Sequence, residues 1–589
     1  MSGRRPTIRA AARCRPRQAC PRQPAAQTAS TCPAPYDLPS PSCCTLAVNP
    51  RPDCGRAPWR GQRSAQAAVF QSSMTVPRSW ERGTLRPAHI VLLLIAGTAI
   101  VRVLFAASLG LGIDESYTVA TGRQPQLSYF DHPPLAWWLA WGGARLLGTE
   151  AALAVRLPFI VLFAATTWLM FILTRLLLGE RAGLWAAATL NLAPALAWTS
   201  GTWVLPDGPL NLALTAGAYC VAAAVFVDRS RGPLWWLAAG ACAGLALLSK
   251  LHGVFLFAGV GLFLATSRQH RHWLLNPWPY AGLAVALAMF MPVIIWNAQH
   301  DWVSFAFQAG RARVQQIRPW APLSVLAGQA AYLLPWLWLP LAAALGSALR
   351  RGPADDRRWF LACLAVGPIL LFTLAAWSGN RVLPHWAMPG YLMLFPLLGA
   401  AIARGLEDAR PLVKYWLVGT TASLVMIVSA AITLAHLPWP PNAVRGYHTL
   451  KNPLEETIDW SDLVAALQAR GLMDSSRLFV VTTRWHEAGK IDYALGGKMR
   501  VVCLCGDPRG YGVLARPAAE ADADALIIGR SLPADVVQRV YAGQFDGIEM
   551  LAPVTIKHAG APAFELSLYL ARAFRPSARD LGPKRRQHP

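Results

Sequence analysis

The stretch HIVLLLIAGTAIVRVLFAASL at 89–109 decides the fold class. Crossing the hydrocarbon core of a bilayer takes about 20 consecutive, predominantly apolar residues in a helix, and this run supplies them. Asp114 and Glu115 follow directly, and further on comes Tyr129-Phe130-Asp131-His132-Pro133-Pro134-Leu135. The acidic pair therefore lies at a membrane face, in a loop too polar to be exposed to lipid.

The rest of the chain fits that start. Of 589 residues, 54% are hydrophobic and only 15% charged, with a mean hydropathy of +0.33. Soluble domains carry about 25% charged residues, so the composition is that of a multi-spanning membrane protein. The formal charge of +24 is not a nucleic-acid signal. The positive residues fall in short loops between apolar runs and in an Arg-rich N-terminus, and neither zinc-finger spacing nor a Walker loop accompanies them. Nucleic acid is excluded as a partner.

Apolar segments recur at about 89–109, 151–174, 182–199, 209–227, 234–248, 253–266, 278–296, 323–347, 359–376, 385–403 and 412–436. They predict about eleven transmembrane helices, with 234–248 and 253–266 short for full spans. The Lys/Arg bias of the connecting loops sets the orientation. With a cytoplasmic N-terminus, sixteen positive residues fall in inner loops, among them Arg78, Arg175, Arg268, Arg350 and Arg404. Seven fall outside: Arg123, Arg145, Lys250, Arg311, Arg313, Arg318 and Arg381. The C-terminal region is then outside as well.

Four segments follow from these patterns. Residues 1–73 hold eleven Arg, eleven Pro and six of the eleven Cys, with Asp37 and Asp53 the sole acids. That composition cannot bury a core and predicts a disordered basic leader; the simplest reading starts translation at Met74. Residues 74–438 form the transmembrane domain and 439–575 a small α/β domain, and 576–589 are a basic tail. In the α/β domain 478–483, 500–504 and 525–528 read as strands, and 484–495 and 533–542 as helices. Cys503 and Cys505 read equally as a disulfide or as two core thiols.

The Asp114-Glu115 pair after the first span, followed by His132-Pro133-Pro134-Leu135, resembles the polyprenyl-phosphate-sugar glycosyltransferases of the GT-C class. These include the dolichyl-phosphate-mannose protein mannosyltransferases and the bacterial lipid A aminoarabinose and galacturonosyl transferases. The resemblance covers roughly 89–570. It implies a bacterial inner-membrane enzyme with a periplasmic C-terminal domain. Such an enzyme takes a sugar from a polyprenyl phosphate and gives it to lipid A, lipopolysaccharide or another envelope glycan.

The same resemblance assigns roles. The acid at Asp114 is the base that takes a proton from the acceptor hydroxyl, chemistry a held carboxylate can do. Glu115 orients that base or binds acceptor or metal. Arg156, in Arg156-Leu157-Pro158, matches phosphate oxygens in two-pronged fashion and is the first candidate for the lipid phosphate; its plain alternative is an interfacial Arg. Lys250, in Leu247-Leu248-Ser249-Lys250, is the second. Asp131, His132, Asp207, His252, Arg381 and His385 lie on the same outer side and read as pocket residues. No cofactor is certain. A divalent metal stays open, with Glu115 and His132 as its weak candidates.

Two rivals remain. A protein O-mannosyltransferase would differ in its acceptor, and the lumenal β-trefoil insert of the eukaryotic ones is not readable here. A transporter or flippase would place charges near the bilayer midplane and show repeated helix groups. No repeat is visible, and the unusual charges gather on one face.

Overall fold

The computed structural model describes residues 85–227, 230–311, 316–438, 455–475, 477–514 and 517–576. The expectations for the leader, for Met74 and for the tail beyond 576 lie outside the described residues, as does the junction at 439–454.

The chain is mostly helical. Helix α1 (Pro87–Ser108) starts on a proline, whose missing N–H is an orphan at a helix start in any case. Two short helices follow, α2 (Ile113–Gly122) and α3 (Leu135–Leu147), and then α4 (Ala152–Leu178), α5 (Glu180–Asn191), α6 (Asp207–Phe226), α7 (Gly232–Ser249), α8 (Val254–Thr266), α9 (Pro277–Gln299) and α10 (Val303–Gly310). The bundle ends with α11 (Ala321–Leu333), α12 (Pro335–Arg351), α13 (Asp356–Leu374), α14 (Phe395–Glu407) and α15 (Pro411–His436).

Among the described residues seven helices are long and apolar enough to cross a bilayer, and nine spans result if each of two bent pairs is one span. All eleven apolar segments fall on helices, but two are too short to count as spans. The segment at 182–199 breaks: α5 stops at Asn191 and the chain winds into a π-turn at Ala195–Thr199. Arg102 of α1 fills the break, donating 2.9 Å hydrogen bonds to the Ala197 carbonyl and to Asn191 Oδ1. The other short segment is Leu251–Thr266. Between α11 and α12 the turn is 114°. Pro335 disfavours helical backbone at the residue before it, and Leu334 takes a φ of 75°.

Small residues let the helices close up. A Cβ on Gly240 of α7 would lie 2.1 Å from the Gly282 carbonyl oxygen of α9, so these two backbones touch directly.

The C-terminal region holds a five-stranded sheet in the order β2-β1-β3-β5-β4. Its strands are β1 (Leu478–Thr482), β2 (Val501–Cys503), β3 (Asp524–Arg530), β4 (Phe545–His558) and β5 (Ala561–Phe574). Strand β1 runs parallel to β2 and β3, and β5 pairs antiparallel with β3 and β4. The first three are the expected strands, buried along nearly their whole length as parallel strands usually are. The hairpin β4–β5 is an addition to the sequence reading. Its turn, Ala559-Gly560, has φ of 48° and 81°, both in the left-handed region that two-residue hairpin turns favour. The thiols of Cys503 and Cys505 are free.

Helices α16 (Ser461–Ala469), α17 (Trp485–Leu495) and α18 (Ala534–Tyr541) flank the sheet. One apolar cluster runs from Tyr117, Trp137 and Phe159 of the helical part to Leu463, Val480 and Leu526 of the sheet part. A Cβ on Gly489 of α17 would sit 2.9 Å from the Tyr117 Cα. The sheet region is therefore packed hard onto α2, the helix that carries the acidic pair.

Candidate functional site

Helix α2 opens on Gly112, and its first turn holds both acids. They face different surroundings. Glu115 is 2% exposed and Asp114 is exposed. The Glu115 carboxylate accepts from the Gly112 N–H at 2.9 Å, which caps the helix, and from the Val204 N–H at 3.0 Å. Arg156 of α4 completes it, donating from Nε to Oε1 at 2.8 Å and from Nη2 to Oε2. Burial alone would raise this carboxyl; the Arg156 charge and the backbone donors outweigh it and hold the group below its ordinary value.

Arg156 is wholly buried. Its remaining N–H groups go to the carbonyls of Ala106 at 3.0 Å, Leu109 at 2.8 Å and Gly110 at 2.9 Å. A guanidinium has five donors, and all five are used. This corrects two expectations. Arg156 has no edge left for a lipid phosphate, and Glu115, with four N–H groups on its two oxygens, is not placed to hold metal or acceptor. The pair instead ties the end of α1, the start of α2, α4 and the Val204 loop together.

Asp114 is the acid on the exposed side of α2. A carboxylate in the first turn of a helix is favoured by the helix dipole. Its backbone carbonyl is held by the Thr118 hydroxyl at 2.8 Å.

A second cluster forms where the start of α6 meets the C-terminal ends of α7 and α13. Lys250, at the C-terminal end of α7, donates from Nζ to both carboxylate oxygens of Asp207, at 3.0 and 3.1 Å. Their side chains are 5% and 14% exposed. His252 is stacked on Phe372 at 4.8 Å and lies within electrostatic reach of Lys250, Asp207, His132 and His385. Its buried Nε2 has no hydrogen-bond partner among the described residues. His132 belongs to the same pocket. Burial, and then the Lys250 charge, push it down to about 3, so its ring is neutral at physiological pH. The structure thus brings together His132, Asp207, Lys250, His252 and His385. Arg381 is exposed and stands apart, with no ion pair among the described residues.

Asp131 is the hinge between this pocket and the sheet region. Its carboxylate accepts from Tyr117 Oη at 2.5 Å and from Arg509 Nη1 at 2.6 Å, and Gln308 donates to its carbonyl at 2.6 Å. Arg509 lies over the Trp485 ring at 4.3 Å, and the Gly510 N–H donates to Tyr117 Oη at 2.8 Å. Burial and the Asp131 charge raise the Tyr117 hydroxyl well above its usual value, so it stays a donor. Two further links hold α2 to α17. Lys490 donates to the carbonyls of Leu111, Glu456 and Ile458 at 2.8, 3.0 and 2.8 Å. Arg123 pairs with Glu150 at 2.9 Å and with Asp492 at 2.6 Å.

No group of three or more His, Cys, Asp or Glu placed to hold a metal ion occurs among the described residues. His132, the other metal candidate, has around it Lys250, Asp207, Arg311 and Arg509, a cation-rich setting that suits an anion better.

The arrangement of helices has known counterparts. Across 84% of this chain and 99% of the other, the fold matches the crystal structure of ArnT from Cupriavidus metallidurans bound to undecaprenyl phosphate, with a TM-score of 0.57 at 14% identity. The chain has the fold of that structure. A sequence model of the dolichyl-phosphate-mannose-protein mannosyltransferase family matches residues 131–296, a stretch that holds Asp131, His132, Arg156, Asp207, Lys250 and His252. A lipid A galacturonosyltransferase of Rhizobium johnstonii is 24% identical over 288 residues, which are 48% of this chain and 58% of that protein. An undecaprenyl phosphate-alpha-4-amino-4-deoxy-L-arabinose arabinosyl transferase of Pectobacterium carotovorum is 26% identical over 318 residues, 52% of this chain and 56% of that one. The chain spans little more than half the length of the curated relatives it matches.

Arg509, Lys490 and Tyr117 escaped the sequence reading. The first two lie far along the chain from the partners they hold, and an isolated Arg or Lys in a polar domain carries no signal of its own. Gly510, next to Arg509, is the one mark in the sequence of a tight backbone approach there.

Proposed function

We propose that this protein is an integral membrane glycosyltransferase that moves a sugar from a polyprenyl phosphate to a lipid A-type glycolipid. In this reading the acceptor hydroxyl attacks the anomeric carbon and passes its proton to Asp114. The bond from that carbon to the phosphate oxygen breaks, and the electron pair leaves with the polyprenyl phosphate. Lys250 faces the departing phosphate, and the neutral His132, His252 and His385 offer N–H donors around it. Arg156 and Glu115 act indirectly, by fixing where α2 begins.

The observation that carries the reading is the buried cluster in which Lys250 and Asp207 lie among His132, His252 and His385, a cation ringed by imidazoles that suits an anionic leaving group. The likeness to ArnT, whose crystal structure holds undecaprenyl phosphate, supports the donor class. The name of the lipid A galacturonosyltransferase supports the acceptor, and that of the undecaprenyl-phosphate aminoarabinose transferase supports the donor class. The loop charges support an N-terminus in the cytoplasm of a bacterium and a sheet region in the periplasm. A protein acceptor is favoured by one finding, the family model over 131–296.

Purified protein with a labelled polyprenyl-phosphate sugar, offered a glycolipid or an unstructured Ser/Thr peptide, decides between them. Label in the glycolipid supports the proposal. Label in the peptide alone moves it to protein mannosylation, and retention of all label on the donor refutes both.

A further inference from the structure

A cleft of about 410 Å³ opens between α2, α3 and the turn leading into α4. It is separate from the pocket of Lys250 and the histidines. Arg123 and Glu150 line it but are tied to each other. Arg145 lines it too, and makes no hydrogen bond or ion pair among the described residues; its guanidinium lies 5.7 Å from the Trp141 ring centroid. Its N–H edge is thus free to bind. The floor near Gly148 is open, since a Cβ there would meet no atom within 4 Å.

The surroundings narrow the ligand. Helix α3 buries Ala136, Trp137, Ala140 and Gly143 and turns the opposite face out. Away from the buried stripe Trp141 is 37% and Leu146 83% exposed, and Leu147, in the last turn, is 48% exposed. Exposed leucines and a tryptophan beside the start of a spanning helix are the chemistry of a bilayer interface. A ligand fitting all of this has an anionic group for Arg145, a ring face for Trp141 and hydrocarbon that stays in the bilayer beside the leucines. A phosphate-bearing glycolipid has all three, whereas a peptide or a free sugar phosphate leaves the leucines uncovered. Clefts of this size accept such headgroups. Val119 and Gly122, in its wall, belong to α2, the helix that carries Asp114.

We propose that this cleft holds the phosphorylated headgroup of the acceptor glycolipid, with Arg145 on the phosphate and Trp141 against the adjoining sugar. The assignment rests on the glycosyltransferase reading above.

The test uses the full chain in detergent, a polyprenyl-phosphate sugar donor, and a glucosamine-disaccharide lipid with and without its phosphates. For the wild type, KM should be lower for the phosphorylated acceptor. Arg145→Glu should raise that KM about tenfold or more and shrink the preference to within about twofold, with the effect on KM rather than on kcat. Arg145→Lys should recover part of it, as a point charge still attracts phosphate. Binding of the phosphorylated lipid without donor should show the same order. If Arg145→Glu is not recovered folded, Arg145→Gln carries the comparison. An unchanged acceptor preference in the charge variant overturns the assignment. So does displacement of the acceptor by phosphatidylglycerol vesicles as readily as by unlabelled acceptor, since the cleft would then be a general lipid contact. Failure of the wild type to transfer sugar to either lipid refutes the glycosyltransferase reading itself, a different outcome from transfer that ignores Arg145.

Discussion

Arg156 and Glu115 satisfy one another and leave nothing over: the guanidinium spends all five donors and the carboxylate takes four N–H groups, with both side chains essentially out of solvent. A pair so closed does structural work. It pins the first turn of α2, and so sets the position of Asp114, one residue earlier.

Removing one partner should therefore cost stability rather than donor affinity. Arg156→Met leaves a buried carboxylate unpaired, a change worth about 3–5 kcal/mol, and should lower the melting temperature in detergent sharply. Pairing it with Glu115→Gln should recover a good part of the loss. A normally stable Arg156→Met protein with a raised donor KM would restore the phosphate role to Arg156.

Lys250 should behave in the opposite way. Lys250→Met removes the cation facing the pocket, and donor KM should rise about tenfold or more while acceptor KM changes little. Asp207→Asn frees the amine from its carboxylate and should not raise donor KM. Steady-state kinetics with each substrate varied in turn check both.

His132 gives a pH signature. Its folded value of about 3 lies below the ordinary 6.5. Between those pH values the unfolded chain takes up a proton that the folded chain does not. Stability should therefore be fully present above pH 6.5 and fall as the pH drops toward 3, by at most about 1.4 kcal/mol per pH unit from this group. His132→Gln should flatten that fall in melts between pH 7.5 and 4.5. Equal acid slopes in the two proteins would count against the burial of this ring.

Arg509 tests whether the sheet region shapes the pocket. Arg509→Ala leaves the Asp131 carboxylate with Tyr117 as its remaining side-chain donor. The expected loss is about 2–3 kcal/mol, below that for a fully buried pair because Arg509 keeps 20% of its exposure. Donor KM should rise as the His132 loop loosens, and Asp131→Asn with Arg509→Gln should recover stability. No change in either quantity would mean that the contact is idle.

The spans were legible because hydropathy over twenty residues is a strong, local signal. Lys250 was legible as a charge out of place among apolar neighbours, whereas Asp114 and the three histidines were picked out by the short blocks around them that resemble a known family. What misled was Arg156. A buried Arg near a membrane face looks alike whether it waits for phosphate or serves a carboxylate, and the carboxylate that claims it is in another helix. The break after Asn191 was hidden for a similar reason: Arg102, which satisfies it, sits inside a run that reads as plain transmembrane helix. Strands β4 and β5 were missed because Pro553, Pro562 and interspersed charges blur their alternation, and pairing along a long hairpin supplies what local pattern does not.

The most direct test of the whole account is single-turnover transfer from a labelled polyprenyl-phosphate sugar to a glycolipid by purified wild type and Asp114→Asn. Asp114 is exposed and outside the Arg156 pair, so the variant should fold, bind donor with near-normal affinity and lose activity by about 10² or more. Transfer by Asp114→Asn at near the wild-type rate would contradict the account.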